Sequence, residues 1–186
     1  MKFNKKGIYF AVAMTGCLML SSVLNNDIRF GYVYAVGLIC LSLLIVSYMP
    51  FHSFVYYYDK VMRIIATASL LGFGLYIVFN SVLDFFPIIQ NISYLEFHNL
   101  FLTVIPTSFY AGMVRNFGVF REPGVFQIYL IIALAFQLFI FSKPKIKVCI
   151  LYLVAVITTF STTGYFALFF VWGAYFLKRT RYKGEF

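Results

Sequence analysis

Charged side chains are scarce in this sequence, and acidic ones are the scarcest. The 186 residues include 6 acidic and 15 basic side chains, while 62% are hydrophobic. A soluble domain of this length rarely reaches such an apolar content. Apolar runs of about 18 or more residues, which are long enough to cross about 30 Å of hydrocarbon, recur along the chain. The composition therefore predicts a membrane protein with several spans.

Residues that could form disulfides or metal sites are also few. Cys17, Cys40 and Cys149 each lie within an apolar run, without CxxC spacing, and the chain has only 2 histidines. This pattern favours small core residues over a disulfide or a zinc site, so no metal is expected. The sequence has no Walker loop, no GxGxxG after a strand and no HExxH. ATP-driven transport and nucleotide cofactors therefore lack support, and no cofactor is predicted.

The apolar runs predict an all-α fold, a polytopic transmembrane bundle of about six helices that forms one domain over residues 1–186. A loop over residues 56–63 precedes the third helix, and a long outer loop over 84–124 separates helices 3 and 4. Within that loop we expect residues 85–109 to form an amphipathic interfacial helix. The lone His98 is expected to be packed or interfacial. The predicted spans are residues 7–24, 30–49, 64–83, 125–141, 148–160 and 164–177.

The last apolar stretch, residues 148–177, is too long for one straight span. A helix of 30 residues would be about 45 Å long. Its only small polar cluster is residues 161–164, Ser-Thr-Thr-Gly, and both of its flanks are basic. We therefore predict a break at this cluster, with Gly164 supplying the conformational freedom that the turn needs. The break places both flanks on the same side of the membrane.

The basic residues divide unevenly between the two sides of this arrangement. Three arginines fall outside, at positions 29, 115 and 121, and twelve basic residues fall inside. This split follows the positive-inside rule and predicts cytoplasmic N- and C-termini. It also explains the net charge of +9 without nucleic acid, which is not an expected partner. The inner residues are Lys2, Lys5, Lys6, Lys60, Arg63, Lys143, Lys145, Lys147, Lys178, Arg179, Arg181 and Lys183.

The most polar part of the outer loop is residues 115–124, Arg-Asn-Phe-Gly-Val-Phe-Arg-Glu-Pro-Gly. Two outward guanidinium groups suit an anion, because guanidinium can bind phosphate through two parallel hydrogen bonds. Snorkelling of both arginines towards lipid headgroups is an equally open interpretation. Glu122 and Pro123 also suit the first turn of a helix.

Two further features of this predicted outer face can each be interpreted in two ways. Gly118 and Gly124 would allow a tight turn or a close approach of a ligand to the backbone. The cluster at 161–164 could cap the last helix, or its free N–H groups could hold a phosphate.

Two motifs together resemble the O-antigen polymerase and O-antigen ligase-like family of bacterial membrane proteins. The first is Arg115-Asn-x-Gly-x-Phe-Arg-Glu-Pro-Gly124, followed by Phe126-Gln-Ile-Tyr129. The second, Thr158-Thr-Phe-Ser-Thr-Thr-Gly-Tyr165, follows after an intervening span and a basic inner loop. The resemblance covers about residues 115–177. Family members have more spans and a second large periplasmic loop, so the chain resembles the N-terminal part of such a protein and is expected to be truncated.

The resemblance implies glycosyl transfer at the outer face of the bacterial inner membrane. The donor would be a glycan on undecaprenyl diphosphate and the acceptor a second lipid-linked glycan, without metal or cofactor. Other polysaccharide-assembly proteins and membrane lipid are the remaining expected partners. The predicted catalytic residues are Arg115 and Arg121, as diphosphate clamps, and Glu122. The predicted substrate-binding residues are Asn116, Gly124, Ser161, Thr162, Thr163 and Gly164.

A second class of function stays open on the same residues. A non-enzymatic membrane subunit, or a transporter fragment that binds anionic lipid or polysaccharide, would keep the arginines as headgroup contacts.

The charge split predicts which engineered cysteines can be labelled from outside the cell. In a background without the three native cysteines, Thr162→Cys should react with an impermeant maleimide, and Lys145→Cys should not. Labelling at position 145 combined with protection at Asp27→Cys would reverse the orientation.

Overall fold

The computed structural model describes residues 5–25, 30–90, 96–100, 102–107, 114–120 and 122–183, without the side chains at 6, 30, 80, 82, 179 and 181–183. Within these residues the chain is an all-α helix bundle of six α-helices, to which a small sheet is added. It divides into two compact units, Met1–Tyr56 and Tyr57–Phe186. The helices are α1 Lys5–Leu24, α2 Phe30–Tyr48, α3 Phe51–Val78, α4 Pro123–Phe139, α5 Ile146–Thr158 and α6 Thr162–Lys183.

Three of the described helices are long and apolar enough to cross a membrane. These are α1, α2 and α3, whose apolar segments are Gly7–Leu24, Gly31–Tyr48 and Phe51–Val78. In the first unit α1 packs against α2, yet none of the residues in either apolar segment is buried. Such continuous apolar surface is stable against lipid and would be unstable in water. The chain is accordingly a membrane protein.

The third helix differs from its prediction. It begins at Phe51 and ends at Val78, so the loop predicted at residues 56–63 is helical. Pro50 precedes the helix, and its carbonyl accepts a hydrogen bond from the Phe54 N–H at 3.0 Å. The charged residues that suggested a loop are instead accommodated by pairing, since Asp59 and Arg63 are one helical turn apart.

A buried polar cluster joins α3 to α4 and α5. Asp59 is 2% exposed, and its Oδ2 lies 3.0 Å from Nε of Arg63. Its Oδ1 accepts hydrogen bonds from Gln137 Nε2 and Tyr152 Oη, both at 2.8 Å. Gln137 Oε1 in turn accepts the Lys145 N–H at 3.2 Å, which fixes the start of α5. We call Asp59, Arg63, Gln137 and Tyr152 the Asp59 cluster.

The apolar core of the second unit lies among the same helices and α6. Buried side chains of α4 and α5 contact Met62 and Ala66 of α3, and half-buried residues of α6 pack against them. The helix α4 contributes the largest share of the buried core because Phe126, Leu130, Ala133 and Leu134 share one face at helical spacing. The core therefore holds α3, α4, α5 and α6 in one unit.

The loop between α3 and α4 contains a 3₁₀ helix, Asn80–Phe85, and three short strands. The strands β1 Ile88–Gln90, β2 Glu96–Asn99 and β3 Val104–Pro106 form an antiparallel sheet in that order. Ile88 pairs with His98, and Phe97 pairs with Pro106. The interfacial helix predicted over residues 85–109 is therefore wrong.

Two properties of the sequence explain the strands. Pro87 and Pro106 lack the N–H groups that a helix needs, and isoleucine and valine favour extended backbone. His98 is buried in β2, which agrees with its packed interpretation.

The sheet is attached to the bundle at three points. A Cβ built on Gly72 of α3 would overlap Thr103 Cγ2, so α3 and the segment before β3 are in direct contact. The Val104 N–H donates to the Gly118 carbonyl at 2.6 Å. The rings of Phe97 and Phe117 are 5.5 Å apart in an edge-to-face arrangement. These contacts bring the sheet against residues 114–120, where the predicted site begins.

The Asp59 cluster leads to a prediction about stability. Asp59→Ala should destabilise the protein by about 2–3 kcal/mol, because it leaves Arg63, Tyr152 and Gln137 without their common acceptor. Thermal unfolding in detergent measures this effect. Asp84→Ala, which removes an exposed carboxylate of the 3₁₀ helix, is the matched control and should leave the melting temperature unchanged. Equal melting temperatures for the two variants would contradict a stabilising role.

Candidate functional site at the break between α5 and α6

The predicted helix break is present at the expected residues. The helix α5 ends at Thr158 and α6 begins at Thr162. Between them Phe160 has φ of 47°, a left-handed conformation that is strained for a residue with a side chain. Glycine was expected to supply this freedom at position 164, and that expectation is wrong: Gly164 lies inside α6 without a positive φ.

Asn116 joins the polar loop segment at residues 114–120 to this break through hydrogen bonds. Its N–H donates to the Thr158 carbonyl at 2.9 Å, and its Nδ2 donates to Thr158 Oγ1 at 3.0 Å and to Ser69 Oγ at 3.2 Å. Both hydroxyls donate to carbonyls of their own helices, so their oxygens are free to accept. Asn116 is 2% exposed. Asn116 is therefore a positioning residue, because its hydrogen bonds join the loop to α3 and α5.

A tight turn follows Asn116. Gly118 has φ of 57°, and its N–H donates to Asn116 Oδ1 at 3.0 Å. A Cβ at this position would stand 2.9 Å from the ring of Phe126. Position 118 therefore needs glycine for its backbone conformation, which confirms the predicted tight turn, and also for the space that the ring of Phe126 occupies. Gly124 has no such neighbour among the described residues, so packing within them does not explain that glycine.

Gln127 of α4 contacts the start of α6. Its Nε2 donates to Thr163 Oγ1 at 2.6 Å, and Thr163 Oγ1 is 3.1 Å from Ser161 Oγ. Gln127 is 3% exposed, and a Cβ on Gly164 would overlap its Oε1. The role of Gly164 is thus to admit the side chain of Gln127. This contact fixes the first turn of α6 beside the first turn of α4.

Two helix N-termini consequently meet at this end of the bundle. In α6 the Ser161 carbonyl accepts the N–H groups of Gly164 and Tyr165 at 3.0 and 3.3 Å. The N–H groups of Thr162 and Thr163 precede any possible intrahelical acceptor, and both side chains are exposed. The helix α4 starts with Pro123 at its first position, as predicted. Both positive ends of the helix dipoles therefore lie near the Asn116 turn.

The three predicted catalytic residues differ in where the structure places them. Arg115 is half-buried, and its Nε is buried without a hydrogen-bond partner among the described residues. Glu122 is exposed and precedes α4, and its side chain makes no capping hydrogen bond. Arg121 lies outside the described residues. No group of three or more His, Cys, Asp or Glu side chains that could hold a metal occurs in the described part of the chain.

The structure thus joins the segment of Arg115 and Asn116 to the end of α5, and it joins α4 to residues 161–164 through Gln127 and Thr163. It also adds three residues that were not predicted as site residues: Ser69, and Gln127 and Thr158, which lie within the two motifs. Each is a polar side chain in an apolar helix. That pattern is a usable signal, because polar groups at membrane depth need partners.

Comparison with known proteins gives no relative. No protein-family model, no curated protein and no solved structure matches the chain.

The contact between Gln127 and Gly164 leads to a double-mutant prediction. Gly164→Ala should lower the melting temperature, because the new methyl group displaces Gln127 and breaks its hydrogen bond to Thr163, at a cost of about 1–3 kcal/mol. Gln127→Ala removes the overlap, so Gly164→Ala should cost little more in that background. The coupling energy from thermal unfolding of the four proteins tests this contact. Additive effects would mean that Gln127 does not constrain position 164.

Proposed function

We propose that this protein is a polysaccharide polymerase-like glycosyltransferase of the bacterial inner membrane. Its substrate would be a glycan on undecaprenyl diphosphate, and the site would bind the diphosphate at the break between α5 and α6. The two ends of the chain would be cytoplasmic and the site would face the outer side. The basic flanks of residues 148–177 and the helix break between them support this orientation.

One observation carries the proposal: Asn116 joins the segment that bears Arg115 to the last residue of α5. Two features that each suit an anion thereby belong to segments in contact: Arg115 precedes Asn116, and α6 begins four residues after Thr158. A helix N-terminus offers free N–H groups and a positive dipole end, and a guanidinium adds a full charge. Either feature alone has a structural explanation. Their combination at one end of the bundle suits a ligand with more than one negative charge.

The chemistry requires stabilisation of the leaving group. A hydroxyl oxygen of the acceptor glycan would attack the anomeric carbon of the donor, the bond from that carbon to the diphosphate oxygen would break, and the hydroxyl proton would be released to water. Negative charge then grows on the lipid diphosphate, where Arg115 and the N–H groups of Thr162 and Thr163 would stabilise it. Arg121, by its place in the motif, would contribute a second guanidinium. Asn116 and Gln127 would position these groups.

Short helices at this site also suit the proposal. The helix α5 has 13 residues and extends about 20 Å, less than the hydrocarbon thickness. The break therefore lies below the membrane surface if the basic loop before α5 stays at the opposite interface. Irregular backbone is tolerated at such depth where it lines a polar cavity. A lipid diphosphate could reach a site of this kind from the bilayer.

Replacing Arg115 by lysine tests the proposal, because lysine keeps the charge and loses the planar fork. In a strain that lacks the chromosomal gene, Arg115→Lys should reduce glycan laddering at least about tenfold, equivalent to about 1.4 kcal/mol of transition-state stabilisation. Membrane levels of the variant, measured by immunoblot, should not change.

Arg179→Lys, the same replacement at the opposite flank of α6, should ladder like the wild type. Wild-type levels of glycan laddering in the Arg115→Lys strain would contradict the proposed binding of diphosphate by the Arg115 guanidinium. A wild-type protein that binds anionic lipid but restores no laddering would favour a non-enzymatic membrane subunit.

A further inference from the structure

Five exposed lysines lie together at the end of the second unit that is remote from the proposed site. Lys60 follows Asp59 in α3, and the carboxylate of Asp59 accepts hydrogen bonds from Gln137 of α4 and Tyr152 of α5. The backbone N–H of Lys145 donates a hydrogen bond to Gln137 of the Asp59 cluster. Lys143 and Lys147 lie two residues before and after Lys145 in the sequence. Lys178 Nζ lies 5.5 Å from the ring centre of Phe139, the last residue of α4. We call Lys60, Lys143, Lys145, Lys147 and Lys178 the basic end.

No exposed acid among the described residues offsets this charge. Asp59, next to Lys60 in the described part of the chain, is buried and paired with Arg63. Asp84, Glu96 and Glu122 belong to the 3₁₀ helix, to β2 and to the start of α4, which are elements of the opposite end. The Asp59 cluster therefore orders the helix ends while it leaves the five lysine charges uncompensated.

Large apolar side chains adjoin these lysines. Ile146, between Lys145 and Lys147, is 74% exposed, and Leu177, beside Lys178, is 73% exposed. One turn before Lys178 lies an aromatic group whose rings contact one another, Trp172, Tyr175 and Phe176. Lysines next to exposed apolar and aromatic side chains match the boundary between lipid headgroups and hydrocarbon. A soluble polyanion or a nucleic acid would leave this apolar surface in water.

We propose that the basic end is a docking surface for anionic phospholipid headgroups. The lysines would bind the headgroup phosphates, and Ile146, Leu177 and the aromatic group would contact the upper acyl chains. The Asp59 cluster would hold Lys145 in register with Lys60 on α3. This surface is separate from the site at the α5–α6 break, and the inference does not depend on glycosyl transfer.

Lipid-dependent stability of the purified full chain tests the proposal. In a neutral detergent, phosphatidylglycerol should raise the melting temperature more than phosphatidylcholine does. The triple replacement Lys143→Gln, Lys145→Gln and Lys147→Gln should remove at least half of that difference. The charge-preserving triple replacement by arginine should retain it. The difference should also shrink in about 1 M salt, where the screening length falls to about 3 Å.

Three results would contradict the proposal that the basic end binds anionic lipid. The first is an equal melting temperature in the two lipids. The second is an unchanged phosphatidylglycerol effect in the glutamine variant, whose own melting temperature without lipid shows that it is folded. The third is an equal rise with inorganic phosphate alone, which would assign the lysines to a free anion and not to a lipid surface.

Discussion

The pairing of buried polar groups in the second unit is the constraint on which the rest of this structure depends. Breaking the last apolar stretch at Phe160 leaves carbonyls at the end of α5 and N–H groups at the start of α6 without helical partners. Asn116 satisfies the Thr158 carbonyl, and Tyr165 Oη satisfies the Ile157 carbonyl at 2.9 Å. The loop segment that bears Asn116 is thus part of the bundle. Without it, the break would expose unpaired backbone at considerable cost in free energy.

The second unit has a polar cluster at each end, and the two have different consequences. The Asp59 cluster pairs its charge internally, with Arg63, Tyr152 and Gln137 around one carboxylate. Buried side-chain atoms without a hydrogen-bond partner among the described residues occur at both ends, Arg63 Nε beside Asp59 and Arg115 Nε and Gln127 Oε1 at the break. Arg63 Nε nevertheless faces the Asp59 carboxylate at 3.0 Å, whereas no described carboxylate forms an ion pair with Arg115. A guanidinium group without an ion-pair partner beside a helix N-terminus can receive an anion, which is why the proposed site lies at the break and the stabilising role at Asp59.

Patterns in the sequence predicted the features that follow from length and composition. Thirty apolar residues between basic flanks predicted the break, and the small polar cluster located it to within a few residues. Apolar run lengths predicted the helices, with ends displaced by a few residues except in α3. There, charged residues at positions 59 and 63 suggested a loop, because their partners Gln137 and Tyr152 are distant in the sequence.

Long-range contacts also explain the remaining differences at the site. Gly164 was read as a hinge, yet it serves packing against Gln127, a residue 37 positions earlier. The sheet at residues 88–106 depends on pairing between strands, which no local hydrophobic period revealed. Asn116 was predicted to bind substrate from its place in a motif. Its contacts with Ser69 and Thr158 describe a positioning role, and substrate contact at that residue stays a prediction.

Hydrogen exchange at the start of α6 tests most directly whether Asn116 assembles a diphosphate site at the break. The account predicts that farnesyl diphosphate, a short analogue of the lipid carrier, slows exchange at the N–H groups of Thr162 and Thr163 in the purified protein. It further predicts that Asn116→Ala abolishes this protection while α4 and α5 keep theirs. Unchanged exchange at both N–H groups with farnesyl diphosphate bound elsewhere, or equal protection in Asn116→Ala, would contradict the account.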